Sequence, residues 1–101
     1  MIKCKKRDGE VVSFKIQKIE AAIIKAFDAE RKKYDDDIIK MIALRATSNF
    51  NDKIKDNTIS VEDIQDAVEV ALIQSGYVGV ARAYIKYRGR HETLRQIDAT
   101  T

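Results

Sequence analysis

Lys15 and Lys18 stand at the start of an amphipathic stretch, and the basic run Lys5-Lys6-Arg7-Asp8-Gly9 precedes them. Both lysines fall in the first turn of the helix that the following residues predict. The macrodipole is positive there, so each cation costs roughly 0.3–1 kcal/mol. A bound polyanion reverses the sign of that cost, because the helix amides and the lysines then face the same negative charge. The basic run reads as a hairpin tip, whose cations and backbone donors could close over phosphates. The plainer reading of those charges is a solvated turn that discourages edge pairing. Near the other end, Arg88 falls on the same helical face as Ala81, Tyr84 and Ile85. An arginine on an apolar stripe either snorkels to water or pairs with something anionic.

Catalytic chemistry has little to rest on. His91 is the only histidine and lies among charged neighbours, which favours a surface position over a general base. Cys4 alternates with lysines in an extended segment, so it reads as a structural thiol and not a nucleophile. As the single cysteine it excludes an internal disulfide and a multi-cysteine zinc site, and it fits a reducing, cytoplasmic setting. No GxxxxGK[ST] phosphate loop is present, and no metal-ligand cluster stands out.

The 101 residues fit one domain. Apolar residues make up 45% and charged residues 35%, the balance of a folded globular chain. The formal charge of +3 is too small to argue for DNA binding by itself, but it is unevenly spread. Lys3, Lys5, Lys6, Arg7, Lys15 and Lys18 lie at one end of the sequence, and Arg82, Lys86, Arg88, Arg90 and Arg95 near the other. The first residues lack the apolar run of a signal peptide, and no stretch approaches the roughly 20 apolar residues of a membrane span.

The elements that must position these groups follow from periodicity. Asp8-Gly9 between extended runs predicts a hairpin of strands Ile2–Lys6 and Glu10–Phe14. Ile16, Ile19, Ile23 and Phe27 predict a first helix over Ile16–Ala29. Ile38, Ile42, Ala46, Phe50 and Ile54 form an i+4 row that predicts a second helix from Asp37 to about Ile54. Asp56-Asn57 reads as a turn, and Thr58–Ser60 as a third short strand or an extended entry. Ser60-Val61-Glu62-Asp63 resembles a capping box with Asp in the usual Glu or Gln position. It opens a third helix, Val61 to about Gln74, with Ile64, Val68, Ala71 and Leu72 inward and Gly76 as its stop. A fourth helix is expected from Val78 to Leu94, with a loose polar tail over Asp98–Thr101. The chain is therefore α+β and mainly α: a four-helix bundle capped by a small β-hairpin or three-stranded sheet.

Taken together, Lys5-Lys6-Arg7-Asp8-Gly9, Val12-Ser13-Phe14, Lys18-Ile19 and Ala22-Ile23 resemble the opening of the ATP-cone family. Ser60 through Asp66 resembles its third helix, and Val80-Ala81-Arg82-Ala83-Tyr84-Ile85-Lys86-Tyr87-Arg88 its close. The resemblance covers about residues 2–92. It implies an allosteric domain that binds ATP or dATP, with Mg²⁺ accompanying the nucleotide, and that carries out no chemistry itself. It further implies attachment to the catalytic domain of a ribonucleotide reductase, with a phrasing nearest the anaerobic, glycyl-radical class. Residues 1–94 would be the cone, and residues 95–101 a tail or the start of a linker to the catalytic part. A nucleotide-dependent homo-oligomer is a further implied partner, whereas a membrane is not. By the same resemblance, phosphates should meet Lys6, Arg7, Lys18 and a cation of the last helix, Arg88 or Arg90. The adenine should lie near Val12, Lys15 and Ile19. Val61 and Gln65 match third-helix positions that face the phosphates in some cones, which there carry a hydroxyl and an imidazole. Two other readings use the same basic ends: a small helical nucleic-acid-binding domain, and a helical protein-interaction module.

Overall fold

Backbone hydrogen bonds explain why the chain reverses at Asp8-Gly9. Lys6 N–H donates to the Glu10 carbonyl, and Gly9 N–H to the Lys6 carbonyl. Gly9 takes φ +91°, a conformation that a side chain would oppose, and Asp8 accepts from the Glu10 amide at 2.9 Å. The connection Lys6–Glu10 joins β1 (Lys3–Lys5) to β2 (Val11–Ser13), strands shorter at each end than the alternation predicts. The computed structural model describes the backbone of residues 2–99 and the side chains of residues 2–88.

Helix α1 (Ile16–Ala29) follows, then α2 (Asp36–Phe50), a 3₁₀ turn over Asn51–Lys53, β3 (Thr58–Ser60), α3 (Val61–Gln74) and α4 (Val78–Ala99). The sheet order is β2-β1-β3, with β1 antiparallel to β2 and parallel to β3. The Asp56-Asn57 turn, with φ +53° and +61°, aims β3 at β1. Because α3 starts at the residue after β3, the parallel pairing brings the α3 N-terminus beside the hairpin. Each helix touches two others in a closed ring: α1 packs on α2 and α4, and α3 on α2 and α4.

The core inside that ring is apolar. Phe27, Phe50, Ile23, Ile42 and Leu72 are fully buried, and no polar or charged side chain is buried among the described residues. Each such side chain contributes roughly 1.5–3 kcal/mol through burial. Phe14 closes the sheet side by meeting Phe50 edge-on at 5.6 Å between centroids.

Three expectations need correction. The second helix ends at Phe50, four residues short of Ile54, and the chain tightens into the 3₁₀ turn. Its buried residues are Ile39, Ile42, Ala43, Ala46 and Phe50, while Ile38 and Ile54 are only half-buried. A row spaced by four drifts about 40° per step around a helix that turns about 100° per residue, so its ends rotate off the core. On α4, Ile85 is 45% exposed and Val80 takes the inward place. Position 85 lies one residue past the Val80, Ala81 and Tyr84 face that α1 and α3 cover. Finally, α4 continues to Ala99, past Leu94 and through Asp98, which was expected in a loose tail.

Candidate functional site

The sheet and two helix starts enclose a cleft of about 310 Å³. Cys4 and Val12 are register partners across β1 and β2, so both point to the same face of the sheet. Lys6, two residues on from Cys4, joins them. Ser13, Phe14, Lys15, Lys18 and Ile19 come from the end of β2 and the start of α1, and Val61 and Ile64 from the start of α3. The cleft thus has an apolar wall of Val12, Phe14, Ile19, Val61 and Ile64, and a cationic rim of Lys6, Lys15 and Lys18. Its volume is at the small end of the usual range for ligand pockets.

The helix starts of the molecule are not alike. Asp35 caps α2 by accepting from the Ile38 amide at 2.8 Å, and Asp36 and Asp37 occupy its first turn. Ser60 caps α3 by accepting from the Asp63 amide at 3.1 Å, with Glu62 and Asp63 in the first turn. Helix α1 has neither device: Lys15 is its N-cap, makes no side-chain cap bond, and no acid lies in the first turn. The positive end of α1 therefore opens onto the cleft with Lys15 and Lys18 added to it, the arrangement that favours an anion. Burial raises the Cys4 thiol above its ordinary pKa, while the charges of Lys18 and Lys6 pull the other way. The net shift is upward, which favours the neutral thiol, and Cys4 is half-buried in the cleft lining.

Two arginines lie against α3 instead of lining the cleft. Arg7 donates from Nη2 to Gln65 Oε1 at 2.8 Å, with Glu62 at 4.0 Å. Arg88 donates from Nη1 to Asp66 at 2.8 Å and to Glu69 at 2.5 Å. Its side chain is 17% exposed, so of the two outcomes weighed for an arginine on that stripe, pairing is the one realised. Burial alone would lower the Arg88 pKa, but the bonds and charges of Asp66 and Glu69 outweigh it and hold the guanidinium above its ordinary value. Gln65 and Glu69 are one turn apart on α3, so the two arginines sit side by side along that helix.

Of the ten residues singled out from the sequence, Lys6, Val12, Lys15, Lys18, Ile19 and Val61 line the cleft. Arg7 and Gln65 bond to each other beside it, and Arg88 is held one turn further along α3. The Arg90 side chain lies outside the described residues. Cys4, Ser13, Phe14 and Ile64 were missed as lining groups. Alternation with Lys6 and Val12 could have flagged Cys4 and Phe14, and the helical spacing from Val61 could have flagged Ile64.

A larger groove of about 470 Å³ lies at the far end of α1, between Glu30 and the α4 residues Gly79, Arg82, Lys86 and Tyr87. It has cations too, but it abuts the negative end of the α1 dipole and carries the Glu30 carboxylate. An anion is therefore favoured in the first cleft over this one. Among the described residues, no group of three or more His, Cys, Asp or Glu side chains could hold a metal ion. No helix among them is long and apolar enough to cross a membrane.

The ATP cone domain family matches residues 2–93. The chain belongs to the ATP-cone family. It is thus a nucleotide-binding regulatory module, and its relatives are reductases. It is 39% identical over 97 residues to a vitamin B12-dependent ribonucleoside-diphosphate reductase of Mycobacterium tuberculosis, covering 96% of this chain and 13% of that protein. It is 35% identical over 92 residues to the anaerobic ribonucleoside-triphosphate reductase of Escherichia coli, covering 90% of this chain and 12% of that protein. A vitamin B12-dependent ribonucleoside-diphosphate reductase of Thermoplasma acidophilum is 36% identical over 96 residues, at 90% and 12% coverage. The cone spans about an eighth of the length of these relatives.

Proposed function

We propose that the cleft binds the triphosphate and base of ATP or dATP, and that its occupancy regulates the catalytic part of a ribonucleotide reductase to which residues 95–101 lead. The observation that carries this reading is the start of α1: an uncapped helix N-terminus with no first-turn acid, flanked by Lys15 and Lys18 and roofed by Lys6. Phosphate oxygens satisfy the free α1 amides and neutralise the lysines in one step. Arg7, held by Gln65 at the hairpin tip, extends the cationic rim toward α3. The apolar wall of Val12, Ile19 and Ile64 suits the face of a base, and Val12 can read the base edge only through its backbone. Mg²⁺ enters on the phosphates with its own waters, since it dehydrates reluctantly and the cleft rim is cationic.

Discrimination of ATP from dATP rests on the ribose 2′-hydroxyl, and one such hydrogen bond contributes only about 0.5–1.5 kcal/mol net. A regulatory response therefore requires that the two ligands favour different assemblies, because equal affinity for both states shifts nothing. A nucleotide-dependent homo-oligomer is the simplest such state. The domain would act in the cytoplasm, where these nucleotides are made and used.

The test is calorimetric titration of the chain with ATP, dATP and GTP in Mg²⁺, with light scattering on the same samples. Saturable binding of the two adenine nucleotides with GTP much weaker is expected. Binding of oligonucleotides with a steep salt dependence, and no response to free nucleotides, would replace this reading with the nucleic-acid one.

A further inference from the structure

The two carboxylates that hold Arg88 have no part in the cleft described above. Asp66 and Glu69 both bond to the same nitrogen, Nη1, so two negative charges face one guanidinium. Glu69 is largely covered, with 22% of its side chain exposed, whereas Asp66 is 57% exposed. Next along the same helix, Arg7 is held more lightly, by the neutral Gln65 amide oxygen at 2.8 Å and by the Glu62 carboxylate at 4.0 Å. The α3 surface is thus a row of oxygen acceptors, and to Arg88 it offers what a triphosphate would offer: paired anionic oxygens within about 3 Å.

We infer that Asp66 and Glu69 are a built-in competitor for the nucleotide, a pair of positioning residues that park Arg88 on α3 and set the affinity of the cleft. The inference rests on the proposed binding of a nucleoside triphosphate. Arg88 starts one helical turn from the Arg7–Gln65 bond, and a long side chain crosses that distance by rotation about its own bonds. When phosphates arrive, Arg88 exchanges carboxylate oxygens for phosphate oxygens, a swap between two charge-assisted bonds of similar strength. The exchange leaves Asp66 and Glu69 with no partner and facing each other at i, i+3, a like-charge contact that opposes the ligand. Since Arg88 belongs to α4 and the carboxylates to α3, the exchange breaks a tie between these two helices. Occupancy of the cleft is thereby felt at the α3–α4 contact, on a different side of the bundle from the sheet.

The test is titration of the whole chain with Mg-ATP in four forms: unaltered, Asp66→Asn/Glu69→Gln, Arg88→Gln, and the triple variant. The amides keep the shape and hydrogen bonding of the carboxylates, and circular dichroism melting checks that each form is folded. The double variant is expected to bind about fivefold more tightly than the unaltered chain, the scale of a partly exposed ion pair removed from competition. In the Arg88→Gln background the same two changes should alter affinity less than twofold. Equal tightening in both backgrounds overturns the proposal, because the carboxylates then act only through their general field. No tightening in either background overturns it as well. A second readout needs no substitution: the Arg88 side-chain N–H resonance should shift on adding Mg-ATP to the unaltered protein, and a resonance that stays put while ATP binds refutes the exchange. Saturable ATP binding with either of these failures sinks this inference alone. Failure of every form to bind ATP sinks the nucleotide reading itself.

Discussion

The two ends of α1 are built to opposite purposes. At its C-terminus the helix is finished: Arg31 takes φ +56°, its amide bonds to the Asp28 carbonyl, and the Lys32 amide bonds to that of Phe27. This double bond pattern satisfies the last carbonyls. Phe27 is then boxed in by Tyr34 at 5.5 Å and Tyr77 at 5.0 Å, both edge-on. The N-terminus has an extended lysine in the cap position, no capping bond, and cations where acids would be favourable. The same helix therefore contributes stability at one end and gives some up at the other. The difference separates the end that is finished for folding from the end at which we propose the phosphates bind.

That contrast can be broken most forcefully at the finished end. Phe27→Ala removes a fully buried ring and is expected to destabilise the domain by about 3–5 kcal/mol, read from urea denaturation. Nucleotide affinity of the fraction that remains folded should change little, since Phe27 does not line the cleft. A loss of affinity as large as the loss of stability would show that the two ends are not separable. Lys18→Ala tests the open end: triphosphate affinity should fall about tenfold, a Coulombic contact of roughly 1–2 kcal/mol, with the melting temperature nearly unchanged. Unchanged affinity would remove Lys18 from the site.

Gly76→Ala probes the other finished terminus. Gly76 sits at φ +87° after α3, where its amide bonds to the Ile73 carbonyl and the Tyr77 amide to that of Leu72. An added Cβ meets nothing within 4 Å. The cost, about 1 kcal/mol, is therefore conformational alone and should appear in the denaturation midpoint with ATP binding intact. The smallest and most informative change is Lys15→Asp. It supplies the missing cap and should stabilise the free domain by about 0.5–1 kcal/mol while weakening triphosphate binding. A variant that gains stability and keeps its affinity would mean that the uncapped start of α1 is not the phosphate site.

Much of this was legible before any coordinates. The bounds of α1 and α3 follow from their stripes and punctuation: Ser60 with Asp63 starts α3, and Gly76 stops it. Arg88 was assigned to its face from Ala81, Tyr84 and Ile85, of which Ile85 is exposed while the other two are buried. Local signals of this kind succeed because the residues that decide them are within a few positions of one another. What escaped was non-local. Nothing in Lys3-Cys4-Lys5 or Thr58-Ile59-Ser60 announces that they pair in parallel, and that pairing is what brings Val61, Ile64 and Gln65 to the hairpin. The partners of the arginines were equally hidden. Glu62, Asp66 and Glu69 look like ordinary surface acids on α3, and only the packing of α4 and the hairpin tip against that helix gives them cations to hold.

The central place of β1 has a kinetic consequence. The strand is only Lys3–Lys5, yet it is the one element that joins β2 to β3, so the cleft does not exist until residues near the start of the chain meet residues past its midpoint. Helix contacts and the hairpin are local and form quickly, whereas the parallel pairing must first close a long loop. The sheet is therefore expected among the last parts to assemble and among the first to open in the native state. Amide exchange at Lys3 and Lys5 then becomes a clock for the cleft, and any ligand that bridges β1, α1 and α3 slows that clock by holding the loop shut.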